Sequence, residues 1–269
     1  MGIGKQIRLG RLFSHESGRL CSVAVDHFIN YSKGKLPDGL RDIRRVLELV
    51  VAGRPDAVTM HRGIAALAWG PHAGKVPLIL QTSAVHPDDS FPGEQLAGPE
   101  DAVRMGADAV AVVAFVRGTT EARYLKVVSE CVRAAAPFDL PVVNHVYPRT
   151  FGKEIAISYE PEDIAWAVRC GMECGPDIIK VPFCNDAAAY RQIVSECPIP
   201  VVAAGGPKTG TLEEALAMLC DVVRSGARGA TVGRNVWGFE KVTEAVRAIK
   251  AVIHDGMTAA QALKAAGLR

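Results

Sequence analysis

Gly175-Pro176-Asp177-Ile178-Ile179-Lys180-Val181 decides how this chain is read: a turn that closes one helix, then a short apolar run with a single lysine inside it. The turn recurs at Arg54-Pro55-Asp56, Gly106-Ala107-Asp108 and Gly226-Ala227-Arg228, each time ahead of another apolar run. Glycine at the first of these positions suits the left-handed residue that ends a helix. Runs of a second kind alternate with these, and three of them open on Pro77, Pro141 and Pro200. A strand tolerates proline at its first residue, where the missing N–H falls outside the ladder.

In all there are eight runs, near residues 20–25, 56–60, 77–81, 108–114, 141–146, 177–181, 200–204 and 228–232. Their unbroken apolarity, rich in Val, Ile and Ala, marks strands covered on both faces, as in a parallel sheet. Between them, residues 40–51, 121–136, 161–174 and 211–225 repeat their apolar positions at helical spacing. A strand and a helix every 30 or so residues, eight times over, predicts an α/β fold: a (β/α)8 TIM barrel, residues 1–269 forming a single domain. An open doubly wound sheet is the competing arrangement. Against it stand the eight-fold count and the lack of Gly-x-Gly-x-x-Gly after the first run.

Of the 269 residues, 49% are hydrophobic and 22% charged, a composition that can build a core and is not that of a disordered chain. Lys and Arg total 31 against 29 Asp and Glu, and the net charge of +2 is spread without runs. Nucleic acid and membrane surfaces are therefore not expected as partners. The first ten residues lack a signal-peptide pattern and no apolar run is long enough to span a bilayer, so a cytoplasmic protein is expected. Seven cysteines without a Cys-x-x-Cys pair read as reduced, mostly buried thiols. His61, His86 and His145 show no metal-ligand spacing, and no metal is expected. Gly70-Pro71-His72-Ala73-Gly74-Lys75 has the wrong glycine spacing for a nucleotide loop.

In such a barrel the chemistry sits at the C-terminal ends of the strands. The residues there are Asp26, His27, His61, Arg62, Gln81, residues 144–149, Lys180, Gly205, Gly206, Gly233 and Arg234, a polar set where a core would be apolar. Lys180 has apolar neighbours on both sides. Burial disfavours an ammonium ion and raises the fraction of free amine able to attack a carbonyl; the alternative is a lysine whose stem packs while its head reaches solvent. Ala203-Ala204-Gly205-Gly206-Pro207-Lys208-Thr209-Gly210 follows the seventh run, and Gly233-Arg234-Asn235-Val236-Trp237 follows the eighth. Loops after these two strands are the usual phosphate site of a barrel, where glycine backbone and an arginine suit the anion.

Taken together and in order, Ala24-Val25-Asp26-His27, Met60-His61-Arg62-Gly63-Ile64, residues 100–109, Tyr147-Pro148-Arg149, Asp177-Ile178-Ile179-Lys180, Gly205-Gly206-Pro207-Lys208-Thr209 and Val232-Gly233-Arg234-Asn235-Val236-Trp237 resemble the archaeal-type class I aldolases. That family also holds the aminodideoxyheptulosonate synthases and the autoinducer-2 phosphate thiolase. The resemblance implies a metal-independent lyase in which Lys180 forms a Schiff base, Tyr147 gives and takes protons, and Asp26 helps move protons or orient hydroxyls. It also implies that Gly205, Gly206, Gly233 and Arg234 hold a phosphate while His27, His61 and Arg149 contact the substrate. The partner would be a small sugar phosphate, cleaved to dihydroxyacetone phosphate and an aldehyde, with no cofactor and with a ring-like homo-oligomer, a decamer, as the assembly.

The chain departs from the family where glycine commonly follows Asp-His. Phe28 stands there instead, and the loop Lys33-Gly34-Lys35-Leu36-Pro37-Asp38-Gly39 differs too. An aromatic would restrict the aldehyde half of the substrate, while Lys33, Lys35, His61 and Arg62 would attract an anionic group on it. A transaldolase-type or thiolase-type relative remains an alternative, as does a phosphate-binding barrel without catalysis.

Overall fold

A computed structural model describes every residue except 28, 30–35 and 91, so the expectations placed on Phe28, Lys33 and Lys35 lie outside the described residues. In chain order the elements are α1 (Ile3–Leu12), β1 (Leu20–Ala24), α2 (Ile43–Ala52), β2 (Ala57–His61), α3 (Arg62–Ala68), β3 (Leu78–Gln81), β4 (Ser83–Val85), β5 (Pro92–Gln95), α4 (Pro99–Arg104) and β6 (Ala109–Val116). There follow α5 (Glu121–Ala135), β7 (Val142–Phe151), β8 (Ile155–Ile157), α6 (Pro161–Glu173), β9 (Ile178–Pro182), α7 (Ala187–Ser195) and β10 (Val201–Ala204). The chain ends with α8 (Leu212–Arg224), β11 (Gly229–Val232), α9 (Arg234–Trp237), α10 (Val242–Asp255) and α11 (Ala259–Ala265).

Eight of the strands are parallel and close into a barrel in the order β1, β2, β3, β6, β7, β9, β10, β11 and back to β1, and all eight match the apolar runs of the sequence. The (β/α)8 expectation is met. The four turns that introduced the even-numbered runs share one backbone device: Arg54, Gly106, Gly175 and Gly226 have φ of 56°, 69°, 80° and 86°. Three of the four use glycine, the residue that reaches this region without a Cβ clash.

The aspartates of these turns bind the barrel floor to the rest of the chain. Asp108 pairs with Arg11 at 3.0 Å, and Asp177 pairs with Lys5 at 3.0 Å while accepting the Val142 N–H at 2.9 Å. Both cations stand on α1, which sequence reading did not foresee. Leu9, Leu12 and Phe13 of that segment pack against Leu20, Ala57, Ile79, Ala109, Val143, Ile178 and Val202, closing the N-terminal end of the barrel with an apolar layer.

Because side chains alternate across a strand, the residues two positions beyond that layer also point inward. They are Ser22, Thr59, Gln81, Ala111, His145, Lys180 and Ala204, five of the seven polar and all buried. The barrel thus changes from apolar floor to polar interior within one residue pair. A second group of elements was also unforeseen: the β4–β5 hairpin, and β7 running on to Phe151 so that β8 folds back on it, antiparallel, at the rim.

Candidate active site

Lys180 is the third residue of β9, in register with His145 on one side and Val202 on the other, and its inward direction follows from the parity of Ile178 on the floor. It is 4% exposed and makes no ion pair among the described residues. Its side chain lines a small cavity of about 60 Å3 together with His27, Tyr147, Tyr159, Thr231 and Arg234, and with Gly205, Gly206 and Gly233. The C-terminal mouth therefore brings together seven of the ten site residues expected from sequence: Lys180, Tyr147, His27, Arg234 and the three glycines.

Each glycine is required by local geometry. A Cβ on Gly233 would meet His27 Cε1 at 2.3 Å and the Ala24 carbonyl at 2.9 Å, and one on Gly205 would lie 2.8 Å from Val232 Cα. Gly206 has φ of 69°. These close approaches let the loops after β10 and β11 converge, and Asn235 fastens them: its Nδ2 donates to the carbonyls of Gly205 and Pro207, both at 2.9 Å, and its Oδ1 accepts from the Thr209 N–H at 2.9 Å. Arg234 forms no ion pair among the described residues, and its buried Nε has no hydrogen-bond partner. Two convergent glycine loops with an uncommitted guanidinium can take an anion.

Asp26, just beyond β1, is 2% exposed and accepts from Gln81 Nε2 at 2.9 Å; His27 Nδ1 stands 3.4 Å from its other oxygen. Burial opposes a charge here, but the His27 contact and the nearby Lys180 and His61 outweigh it and hold the carboxyl well below the usual carboxylate range. Asp26 is thus an acceptor, not an acid. Burial lowers the pKa of His27, of His61 and, most strongly, of His145, with Lys180 adding to the last effect, so these imidazoles are neutral near neutral pH.

Two expected residues stand apart. His61 ends β2 and faces a second cavity, on the other side of Asp26. Arg149 is not among the residues lining the Lys180 cavity. Its fully buried side chain donates to Asp89 at 2.7 Å, to the Pro87 carbonyl at 3.1 Å, and to the Arg117 carbonyl and Thr120 Oγ1 at 2.8 Å each. Every one of these acceptors lies in a neighbouring loop, so Arg149 is a clamp across the barrel rim. Arg62, expected to offer free charge, is paired with Asp101 at 3.0 Å. Conversely, sequence reading overlooked Tyr159, Thr231 and Asn235. Asn235 lay within the quoted Gly233–Trp237 motif, and a polar amide directly behind Gly-Arg was the only signal of its role.

Among the described residues no three His, Cys, Asp or Glu side chains gather to hold a metal ion, no helix is long and apolar enough to cross a membrane, and all seven cysteines are free.

A closed barrel whose mouth brings a buried amine, a phenol and two convergent glycine loops to one cavity has the layout of an enzyme of the aldolase class. Residues 20–238 match the DeoC/LacD family aldolase model, and the chain belongs to that family. It is 31% identical to the class 1 fructose-bisphosphate aldolase of Thermoproteus tenax, over 94% of this chain and 96% of that one. With the 2-amino-3,7-dideoxy-D-threo-hept-6-ulosonate synthase 1 of Archaeoglobus fulgidus it shares 30% identity over 95% and 93%. The fold is also similar to that of an archaeal fructose-1,6-bisphosphate aldolase solved with its catalytic Lys covalently bound to the carbinolamine intermediate. The TM-score is 0.81 and the identity 29%, with 93% of this chain and 99% of that one covered. The protein is a class I aldolase, a lyase, as the resemblance implied.

Proposed function

We propose that the protein makes or breaks a carbon–carbon bond in a phosphorylated ketose through a Schiff base on Lys180, with dihydroxyacetone phosphate as the ketone fragment. The observation that carries this reading is the buried Lys180, without an ion pair among the described residues, in one cavity with Tyr147 and Arg234. An iminium supplies the electron sink that cleavage next to a carbonyl needs.

In the cleavage direction Lys180 Nζ adds to the ketone carbon, and the nitrogen proton and the carbonyl oxygen become those of a carbinolamine. Tyr147 gives a proton to the departing hydroxyl, water leaves, and the iminium forms. The resulting phenolate takes the proton of the hydroxyl on the fourth carbon as the bond between the third and fourth carbons breaks. That electron pair moves into the iminium to give an enamine, and the aldehyde departs. Tyr147 returns its proton to the enamine carbon, and water hydrolyses the iminium to free Lys180 and dihydroxyacetone phosphate. The ionised Asp26 lowers the energy of the cationic iminium nearby, and the neutral His27 and His145 add no opposing charge. Arg234 and the loop glycines hold the phosphate, which fixes the ketone against Lys180.

The likeness to the A. fulgidus synthase supports a second reading, in which the same adduct forms on another sugar phosphate and is passed to a different acceptor. Coupled assays of dihydroxyacetone phosphate release from fructose 1-phosphate, fructose 1,6-bisphosphate and other ketose phosphates separate the two. The first reading expects release, with Arg234→Ala raising KM for phosphorylated substrates far more than for unphosphorylated ones; no release from any of them contradicts it.

A further inference from the structure

We infer that Tyr159 is a further binding residue for this reaction: with Arg234, its phenol donates a hydrogen bond to the phosphate of the ketone fragment and so selects a phosphorylated ketone over a free one. The inference rests on the Schiff-base reading and names a specificity-determining residue of that same site.

A device outside the eight-strand barrel delivers Tyr159 to the Lys180 cavity. Strand β8 pairs antiparallel with the end of β7, Ile157 opposite Arg149. Side chains alternate along an extended chain, and Ile157 and Tyr159 both line the cavity, while Ser158 between them is bound elsewhere. The Ser158 N–H donates to the Pro148 carbonyl at 2.9 Å, its hydroxyl donates to Asp163 at 2.7 Å, and the Glu160 N–H donates to that hydroxyl at 3.3 Å. Asp163 is in turn paired with Arg117 at 2.9 Å. The backbone on both sides of Tyr159 is thus fastened before any ligand arrives, as a binding residue requires.

The second observation is what the phenol lacks. Tyr159 is half-buried, and it makes no hydrogen bond among the described residues. A tyrosine hydroxyl on a covered ring ordinarily has a partner. Burial raises the Tyr159 pKa above the ordinary 10 against the opposing pull of Arg234, so the hydroxyl keeps its proton near neutral pH and is able to donate. Arg234 lines the same cavity without an ion pair among the described residues, and its buried Nε has no hydrogen-bond partner. A phenol and a guanidinium without acceptors therefore share one small space with the two glycine loops. A phosphate brings oxygens for both, and bonds to a charged acceptor are the strong ones.

A second phenol beside Tyr147 could instead share the proton transfers. Arg234 acts on Tyr159 more strongly than Tyr147 does, which favours the phosphate end of the substrate. The two roles differ in their kinetics. A bond to the phosphate is made equally before and during the chemical step, so its loss weakens binding and leaves the maximal rate unchanged.

The test is borohydride trapping with dihydroxyacetone phosphate and with dihydroxyacetone, in wild type and Tyr159→Phe. The concentration of dihydroxyacetone phosphate that gives the half-maximal rate of inactivation is expected to rise about tenfold or more in the variant, the size of one hydrogen bond to a charged group. The maximal rate should stay within about twofold, and the dihydroxyacetone dependence should not change. No rise, or an equal rise for both ketones, overturns the inference. A lower maximal rate at unchanged concentration dependence would assign Tyr159 to proton transfer and overturns it as well. The absence of any adduct in wild type overturns the aldolase reading beneath it instead. A crystal structure of the trapped wild-type adduct is the second measurement: Tyr159 Oη is expected within hydrogen-bond distance of a phosphate oxygen, and a phenol turned away from the phosphate contradicts the assignment.

Discussion

Asn235 holds Gly205 by its carbonyl, with Nδ2 to O at 2.9 Å, and thereby couples the loop after β10 to the helix that follows β11. The same amide nitrogen reaches Pro207 O, and the amide oxygen accepts from both Thr209 N and Thr209 Oγ1. Four bonds from one side chain fix the spacing of the two glycine loops, the proposed anion cradle. Asn235→Ala leaves the buried Gly205 carbonyl and the more accessible Pro207 carbonyl without this donor, at a cost of about 1–3 kcal/mol for the first, where water does not replace it. The expected outcome is a several-fold or larger rise in KM for phosphorylated substrates with kcat less affected, measured by steady-state kinetics. Equal kinetics in the variant would mean that the cradle does not depend on this tether.

Arg149 should behave as a structural residue. Its guanidinium is fully buried, clamps four acceptors and sits over the rings of Phe115, Tyr124 and Phe151. Removing it takes the cation from Asp89, which keeps Thr120 Oγ1 and Tyr124 Oη as donors, and leaves the Pro87 and Arg117 carbonyls without this partner, at about 1–3 kcal/mol for each acceptor that water does not reach. Arg149→Ala is therefore expected to lower the midpoint of thermal unfolding by roughly 10 °C, on the order of 2–4 °C per kcal/mol for a chain of this size. Lysine at this position should recover little, because a single ammonium cannot reproduce the fork. A variant of unchanged melting temperature that has lost phosphate-substrate affinity would return Arg149 to the site.

Stability should fall on mild acidification. Burial lowers the pKa of His27, His61 and His145 below their ordinary 6.5 in the folded chain. Between that value and the lower folded pKa the unfolded chain binds more protons, so unfolding becomes easier as pH drops below about 6.5. Each group contributes at most about 1.4 kcal/mol per pH unit. Asp26, whose carboxyl is held down instead, keeps its contribution through this window and begins to lose it only below its ordinary 3.8. Urea unfolding at pH 7.5 and 5.5 measures the slope, and His145→Gln should flatten it. A slope of opposite sign would mean that these histidines are charged in the folded protein.

The barrel was legible because its strands are buried on both faces, so the sequence records them as continuous apolar runs, and because Gly106, Gly175 and Gly226 mark one left-handed turn three times. Lys180, Tyr147 and Arg234 were legible for a related reason: a polar residue at the end of such a run has little structural excuse. Helix α1 was not, since Leu9, Leu12 and Phe13 sit among basic residues and read as an ordinary surface helix until the barrel floor is present to receive them. The rim contacts of Arg149 were not legible, because a strand-end arginine looks the same whether it faces a ligand or a neighbouring loop. Its partners, Asp89, Arg117 and Thr120, lie 29 to 60 residues away in sequence. The second cavity, beside His61, was hidden similarly, because Leu40, Leu67 and Leu96 come from separate segments that only the closed fold brings together.

The central claim is that Lys180 is the residue that bonds to the substrate. The most direct measurement is borohydride reduction in the presence of dihydroxyacetone phosphate, followed by intact mass and peptide mapping. The account expects one adduct per chain, located on Lys180, loss of activity in step with its formation, and no adduct in Lys180→Met. An adduct on a different lysine, or full activity in Lys180→Met, would contradict it.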